Sequence, residues 1–182
     1  MKNRRLKSIF ILMLTGMVFS ACSSDQSLQQ YYVAKAENPN FLSVDLPVSL
    51  LNVEKTDLSP DQRKTLESLR KMNVLAFKKT TENQAEYESE KTTVKAILDN
   101  TKFTELMKVN TPFGKGTVKY LGDEDAIDEV VIYGDKNDQG FMLVRVLGDN
   151  MNPAHLVQLV EILEKSDYRG EGLEELGSLF GE

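Results

Sequence analysis

Short runs of apolar residues recur between polar turns from residue 41 to residue 147. Their length and spacing predict β-strands, because strands are bounded by clusters of Gly, Asp and Asn. The last two runs are apolar on both faces, so we expect them at the centre of a sheet with helices covering at least one side. The predicted strands cover residues 41–46, 73–77, 103–109, 117–121, 129–133 and 141–147.

Capping patterns predict where the helices begin. Ser59 and Thr81 each stand three residues before a glutamine, a spacing that lets both side chains bond backbone N–H groups, and Asn152-Pro153 marks a final start. The helix after Thr81 carries an apolar stripe, with Glu90, Lys91 and other charged residues largely outside. Strands alternate with helices early and then run consecutively. This order predicts a single α+β domain with a largely antiparallel sheet and helices packed on one face.

The first 22 residues have the order of a secretory signal peptide. Four basic residues within residues 1–7 precede an apolar run from Ile9 to Phe19, and the small residues Ser20 and Ala21 follow. The run is about half of the roughly 20 residues needed to span a bilayer. A core helix at the start of the fold is the alternative, although the run shows no amphipathic pattern.

The segment Phe19-Ser20-Ala21-Cys22 resembles the lipobox of bacterial lipoproteins. The resemblance implies that Cys22 is lipidated on its thiol, that the signal is cleaved before it and that the new amine is acylated, so that two or three chains anchor the protein to a membrane. An ordinary cleavage site with a free thiol is the alternative. In the Gram-negative lipoproteins that this segment resembles, a residue other than aspartate after the cysteine, here Ser23, implies the outer membrane, and an acidic run there implies the cell surface. Since Asp25 is the only acid within residues 23–26, the periplasmic face is favoured over the cell surface.

These features divide the chain into four parts. Residues 1–21 are the lipoprotein signal peptide, and residues 22–40, dominated by Ser, Gln and Asn, are predicted to be a flexible tether. Residues 41–165 are the α+β domain. Residues 166–182 are a Gly-rich C-terminal tail.

Composition narrows the possible functions. The chain has 22 basic and 28 acidic side chains, and loss of the four basic residues at its start changes the net charge from −6 to −10. This balance argues against nucleic-acid binding, which requires a basic surface. One cysteine excludes an internal disulfide, and one cysteine with one histidine gives no basis for a zinc site. The sequence predicts no cofactor and no metal.

Strand and helix patterns between residues 40 and 165 resemble a family of bacterial lipoproteins, the domain of unknown function 4252. The resemblance implies an exported, anchored α+β domain. It implies no catalytic or binding residues, because the matching patterns are structural. The segments that carry it are Leu75–Phe77, the acid-rich helix around Tyr87, Asp128–Gly134 and Val144–Asp149.

Two loops resemble functional motifs but depart from them. Residues 111–117 lack the glycine spacing of a phosphate-binding loop and stand between two strands, which favours a hairpin turn. Residues 135–140 open like a calcium loop, but its twelfth position is Val146 instead of glutamate. We interpret residues 135–140 as the connection of the last hairpin, with a weak surface calcium site as the alternative.

Other polar residues give weaker signals. An acidic run, with Glu124, Asp125, Asp128 and Glu129, could supply an acid and a base, although a solvated loop face is the simpler interpretation. His155 lies in the first turn of the predicted final helix without a nucleophile motif, so a structural or surface role is favoured. No catalytic residue is predicted.

Arg145 interrupts the apolar strand 141–147, and a buried unpaired charge is costly. If Tyr133 lies opposite Phe141, Glu129 lies opposite Arg145. We therefore predict a structural ion pair between Glu129 and Arg145. Contact of Arg145 with an anionic ligand is the alternative.

The leading hypothesis is a lipid-anchored, exported envelope protein whose domain is a non-enzymatic interaction module for another envelope protein. One alternative is an envelope hydrolase that uses the acidic run, which would gather titratable groups in a concave pocket. Another is a small-ligand binding or sensing module near Arg145, which would have a largely apolar pocket with a few polar groups. An interaction module would instead expose an apolar patch.

Overall fold

The computed structural model describes residues 26–47, 58–111, 114–123 and 126–152. In these ranges the helices are α1 (Leu28–Lys35), α2 (Pro60–Ser68) and α3 (Gln84–Leu98). The strands are β1 (Phe41–Pro47), β2 (Leu69–Lys78), β3 (Thr104–Thr111), β4 (Gly114–Asp123), β5 (Ala126–Lys136) and β6 (Gly140–Met151). In the described residues the strands form one sheet in the order β1-β2-β6-β5-β4-β3, and each neighbouring pair is antiparallel.

The predicted α+β fold class and the central position of β5 and β6 are confirmed. Each of these strands has a neighbour on both sides. Val130 and Val131 of β5 point to opposite faces and are each 1% exposed, as a strand covered on both faces requires. Most strands extend beyond their apolar runs, because backbone pairing continues into polar residues such as Lys136, which is paired with Gly140.

The sheet buries a different cluster on each face. We call one the aromatic face, because rings such as Phe77 and Phe141, with centroids 5.6 Å apart, form its centre. Helices α1 and α3 pack on the aromatic face through Tyr31 and Tyr87. Helix α2 contributes Leu66 to the cluster on the opposite face. Helix α1, which the sequence did not predict, therefore shares the aromatic face with α3. Helix α2 borders the opposite face, so the two predicted helices that the structure describes do not share one face.

Residues 28–40 belong to the folded domain, so the tether predicted for residues 22–40 is wrong over this part. Leu28, Tyr31 and Tyr32 recur at helical spacing and are buried on the aromatic face. A tyrosine ring buries a large apolar area while its hydroxyl keeps a polar partner. Two tyrosines thus anchor a segment whose composition is otherwise polar.

Helix α1 is fixed to α3 by a buried carboxylate. Glu90 is 8% exposed, although the helical pattern placed it outside. Its Oε2 accepts a hydrogen bond of 2.8 Å from the Tyr31 hydroxyl, and its Oε1 lies 2.5 Å from Lys35 Nζ. Both partners lie on α1, so the carboxylate is satisfied only when α1 is docked.

The capping box predicted at the start of α2 is confirmed. Ser59 Oγ accepts from the Gln62 backbone N–H at 3.2 Å, and Gln62 Oε1 accepts from the Ser59 backbone N–H at 3.0 Å. Pro60 occupies the first turn, where its missing N–H costs nothing.

Replacing Ser59 with alanine is expected to lower the free energy of unfolding by about 1 kcal/mol, because one helix N–H loses its acceptor. Urea denaturation of the full chain measures the change. Ser89→Ala, an exposed position within α3, is the matched control and should stay within about 0.5 kcal/mol of the parent. Equal losses in the two variants would contradict the capping role of Ser59.

The N-cap residue predicted for α3, Thr81, lies two residues before the observed N-cap residue, Asn83. The helix begins at Gln84, and its N-cap residue Asn83 makes no side-chain bond to the helix. Asn83 instead pairs with Thr80: Asn83 Oδ1 accepts from the Thr80 N–H at 2.8 Å, and Thr80 Oγ1 accepts from the Asn83 N–H at 3.3 Å. Asn83 Nδ2 also donates to the Lys78 carbonyl at 2.8 Å, so this side chain ties the helix to the end of β2.

Several sequence predictions lie outside the described residues. These are the signal peptide, the lipidation site Cys22, the final helix predicted after Asn152, His155 and the C-terminal tail. Within the described ranges, no helix combines the length and the hydropathy that crossing a bilayer requires.

Candidate functional site

Strands β5 and β6 bring Glu129 and Arg145 together on the aromatic face. Arg145 Nη2 lies 2.7 Å from Glu129 Oε2, and the two side chains are 13% and 9% exposed. The register predicted for this pair is wrong, because Arg145 stands opposite Val131 and Glu129 opposite Leu147. The contact is diagonal instead of direct. It forms because a register shift of two residues leaves each side chain on the same face.

The Glu129–Arg145 pair is part of a row of polar residues that crosses the sheet from β1 to β5. Asn73 of β2 stands opposite Arg145 and donates a hydrogen bond to Asp45 of β1. The hydroxyl of Tyr32 in α1 donates to a backbone carbonyl of β6 at 3.0 Å. Burial raises the pKa of Tyr32; the charge of Arg145 opposes this effect, and those of Glu129 and Asp45 reinforce it. Tyr32 therefore stays neutral beside the charged row.

Arg145 also lines a cavity of about 490 Å³ near the start of α1. In the described part of the chain, the buried Nε of Arg145 has no hydrogen-bond partner. A cavity with apolar walls and few charged groups has the character of a small-molecule pocket. The apolar walls are Leu28, Ile97, Phe103 and Leu121.

A second charged cluster surrounds Asp135 at the end of β5. Its Oδ1 accepts from the Tyr87 hydroxyl at 2.7 Å. Its Oδ2 lies 2.5 Å from Lys91 Nζ and accepts from the Tyr133 hydroxyl at 3.2 Å. Both carboxylate oxygens are engaged, which disfavours Asp135 as the first ligand of a calcium loop. Among the described residues, no three Asp, Glu, His or Cys side chains are grouped to hold a metal ion.

The pKa shifts of Tyr87, Tyr133 and Lys91 determine the protonation states of the Asp135 cluster. Burial raises the pKa of Tyr87 to about 12, and the hydrogen bond to Asp135 acts in the same direction. Burial also raises the pKa of Tyr133, together with the charge of Asp135. Burial acts to lower the pKa of Lys91. The hydrogen bonds to Asp135 and Tyr87 and the negative charge of Asp135 outweigh this effect, so the pKa of Lys91 is raised. At neutral pH the tyrosines are therefore neutral donors, and Lys91 is a cation.

The Asp135 cluster forms one wall of an open groove of about 860 Å³. Five lysines from four elements line the described part of this groove, which we call the lysine groove: Lys91 and Lys95 of α3, Lys108 of β3, Lys115 of β4 and Lys136 of β5. Its remaining walls are Asn110, Gly116, Thr117, Tyr133, Asp135, Asn137 and Asp138.

Sequence reasoning missed the lysine groove. The five lysines are dispersed from Lys91 to Lys136 and meet only because β3, β4 and β5 are adjacent and α3 covers their face. The available signal was in the two loops interpreted above as hairpins, residues 111–117 and 135–140. Each carries a lysine beside its turn, and these two lysines, Lys115 and Lys136, line the groove.

Both hairpin interpretations are confirmed. Thr111 pairs with Gly114 across the β3–β4 connection, and Lys136 pairs with Gly140 across the β5–β6 connection. Gly140 has a φ of 138°, and a Cβ at this position would lie 1.9 Å from the carbonyl oxygen of Phe77. Only glycine fits this close approach to β2.

The described part of the acidic run does not assemble an acid–base pair. Asp128 is exposed, whereas Glu129 is buried against Arg145. Asp128 is skipped at the register shift in both strand pairings, and Glu129 is engaged by Arg145, so the two carboxylates do not form an acid–base pair. Glu124 and Asp125 lie outside the described residues.

These elements define a small α+β domain with a six-stranded antiparallel sheet in its described residues. The chain belongs to the family described as Domain of unknown function (DUF4252), whose model matches residues 31–159. The match confirms the family resemblance seen in the sequence, and its first residue falls within α1. Neither a curated protein nor a solved structure matches the chain significantly.

Proposed function

We propose that this protein is a lipid-anchored, exported protein of the cell envelope, held in the outer membrane with its domain on the periplasmic side. The observation that carries the proposal is the order of residues 1–22: basic residues, a short apolar run, small residues and then Cys22. Diacylglyceryl and amide-linked chains on one residue give the two or three hydrocarbon anchors that stable attachment needs.

The domain itself acts as a non-enzymatic binding module in this proposal. The buried carboxylates of Glu90 and Glu129 and the partly buried one of Asp135 each form an ion pair with a lysine or an arginine of the fold. A catalytic acid or base must be within reach of a substrate proton. These carboxylates are occupied in holding elements together, which supports a structural role.

Replacing Cys22 with serine is expected to abolish incorporation of labelled palmitate, because serine offers no thiol for the diacylglyceryl group. The parent chain and the variant are expressed in a Gram-negative host that is fed the label. Mass spectrometry of the parent should find a chain that begins at an acylated Cys22. Ser24→Ala is the matched control and should retain the label. An unmodified thiol in the parent, or label retained by the Cys22 variant, would refute the anchor.

A small-ligand module near Arg145 is the second candidate function. The 490 Å³ cavity with apolar walls and the unbonded Nε of Arg145 favour it. Ligand binding there should be lost in Leu121→Arg, which places a long charged side chain in the cavity. Binding of an envelope extract component that survives this substitution would exclude the cavity as its site.

A further inference from the structure

The lysine groove is a basic site on an acidic protein. Its described lining has five lysines against two aspartates, a formal charge of +3, whereas the whole chain carries −6. A concentration of like charge in a cleft focuses the electrostatic field and raises the local concentration of counter-ions. Lysines placed only for solubility would be dispersed, and these five converge from four separate elements.

Most of this positive charge is not neutralised within the described fold. Lys91 is paired with Asp135 at 2.5 Å, and Lys108 lies 3.7 Å from Glu105 in an exposed contact that contributes little. The side chains of Lys95, Lys115 and Lys136 form no ion pair with a described residue. Three ammonium groups from three elements therefore remain available to a ligand.

Neutral donors complement the lysines. Asn137 Oδ1 accepts from Lys91 Nζ at 2.7 Å, which orients the side chain and leaves its Nδ2 group as a donor. The hydroxyl of Thr117 and the amide of Asn110 also line the groove. The Asp135 cluster holds Lys91 and Tyr133 in place, so this wall is preorganised.

The donor chemistry favours phosphate over carboxylate. A phosphate group carries about −1.5 to −2 charges at neutral pH and a carboxylate carries a single one, so several converging cations match phosphate better. The forked guanidinium of arginine recognises both anions, and no arginine lines the described part of the groove. Lysine ammonium groups act as compact point charges that suit the several oxygens of a phosphate group. The volume of about 860 Å³ falls within the range of small-molecule sites and accommodates more than one phosphate.

We propose that the lysine groove binds a phosphate-bearing anion, free in solution or on a lipid headgroup. This inference deepens the proposed function, since it names the ligand class of the binding module. Lys95, Lys115 and Lys136 supply the attraction, and Asn110, Thr117 and Asn137 supply the neutral hydrogen bonds. The sheet carries the groove at the hairpin ends of β3–β4 and β5–β6.

Calorimetric titration of the purified full chain in neutral detergent tests this site, with inorganic pyrophosphate as the soluble probe. Combining Lys95→Gln, Lys115→Gln and Lys136→Gln is expected to weaken binding by about tenfold or more, because each exposed cation contributes a fraction of a kcal/mol and the three act together. The variant should also show a shallower dependence of affinity on salt.

The controls separate a site from diffuse attraction. Arg63→Gln with Lys64→Gln and Lys78→Gln removes the same charge from residues outside the groove and should leave the affinity within about twofold. Equal losses in the two triple variants would overturn the proposal, and so would a parent chain that binds neither pyrophosphate nor dihexanoyl phosphatidic acid at millimolar concentration. So would equal affinity for tricarballylate, a multivalent carboxylate.

A second arm identifies the source of the phosphate. Monomeric dihexanoyl phosphatidic acid is titrated beside pyrophosphate, and the groove variant should lose affinity for both. Tighter binding of the lipid supports a headgroup ligand, and tighter binding of pyrophosphate supports a soluble one. The palmitate experiment on Cys22 reports on the anchor alone, so failure of either proposal is recognised separately.

Discussion

Replacing Glu129 with alanine is expected to lower the free energy of unfolding by about 3–5 kcal/mol, because it leaves the Arg145 guanidinium buried without its counter-ion. Arg145 is 13% exposed, and its Nε already lacks a partner in the described fold, so Glu129 is the main compensation for this charge. The loss is a large fraction of the total stability of an ordinary domain. Urea denaturation of the full chain measures it.

The double variant Glu129→Leu with Arg145→Met is the decisive control. It removes both charges and keeps apolar volume, so it should recover most of the stability that Glu129→Ala loses. Asp149→Ala breaks the pair of Asp149 with Arg70, whose side chains are 66% and 59% exposed, and should cost less than about 1 kcal/mol. If Glu129→Ala cost no more than Asp149→Ala, Arg145 would not depend on its ion pair.

The Glu129–Arg145 pair shows how far sequence reasoning reached. A lone arginine in an apolar strand indicated that an acidic residue had to be near it. Because β5 and β6 form a hairpin, that acidic residue was expected on β5. The sequence did not define the register, which differs by two residues from the prediction. The two side chains still meet in the observed register, because alternate residues of a strand share a face and long side chains reach a diagonal neighbour.

The sequence of helix α1 contains a helical pattern, but its polar composition led to the prediction of a tether. Ser27 and Gln30 have the spacing of a capping box, and Leu28, Tyr31 and Tyr32 follow the helical period. The surrounding glutamines suggested a tether. Tertiary contacts fix this segment in the fold. Both tyrosine rings are buried on the aromatic face, and the hydroxyl of Tyr31 donates a hydrogen bond to Glu90 of α3. Neither contact is visible in a local window of sequence.

The lysine groove lay beyond local pattern analysis for a different reason. Each of its lysines has the appearance of an ordinary solvated residue on a strand or helix. Only the strand order, which places β3 beside β4 and β4 beside β5, brings Lys108, Lys115 and Lys136 to one end of the sheet. Because the lysines come together only through the strand order, the groove has no recognisable motif in the sequence.

Alkaline pH is expected to destabilise the domain steeply above pH 10. Tyr31, Tyr32, Tyr87 and Tyr133 are all buried, and burial is the largest cause that raises the pKa of each. Tyrosine in the unfolded chain has a pKa near 10, whereas burial raises the pKa of Tyr87 in the fold to about 12. Above pH 10 the unfolded state therefore binds fewer protons than the folded state. The stability that these groups contribute is complete below pH 10 and is lost as the pH rises.

The slope is about 1.4 kcal/mol per pH unit for each tyrosine, so the four together remove several kcal/mol by pH 12. The raised pKa of Lys91 acts in the same direction, because its ion pair with Asp135 is also lost on deprotonation. Urea denaturation at a series of pH values gives the slope, and tyrosinate absorbance of the folded protein gives the ionisation. Tyr133→Phe removes one titrating group and should reduce the slope by about 1.4 kcal/mol per pH unit. A stability that is unchanged up to pH 12, or tyrosinate formation by all tyrosines of the folded protein near pH 10, would show that these hydroxyls are not held in a buried network.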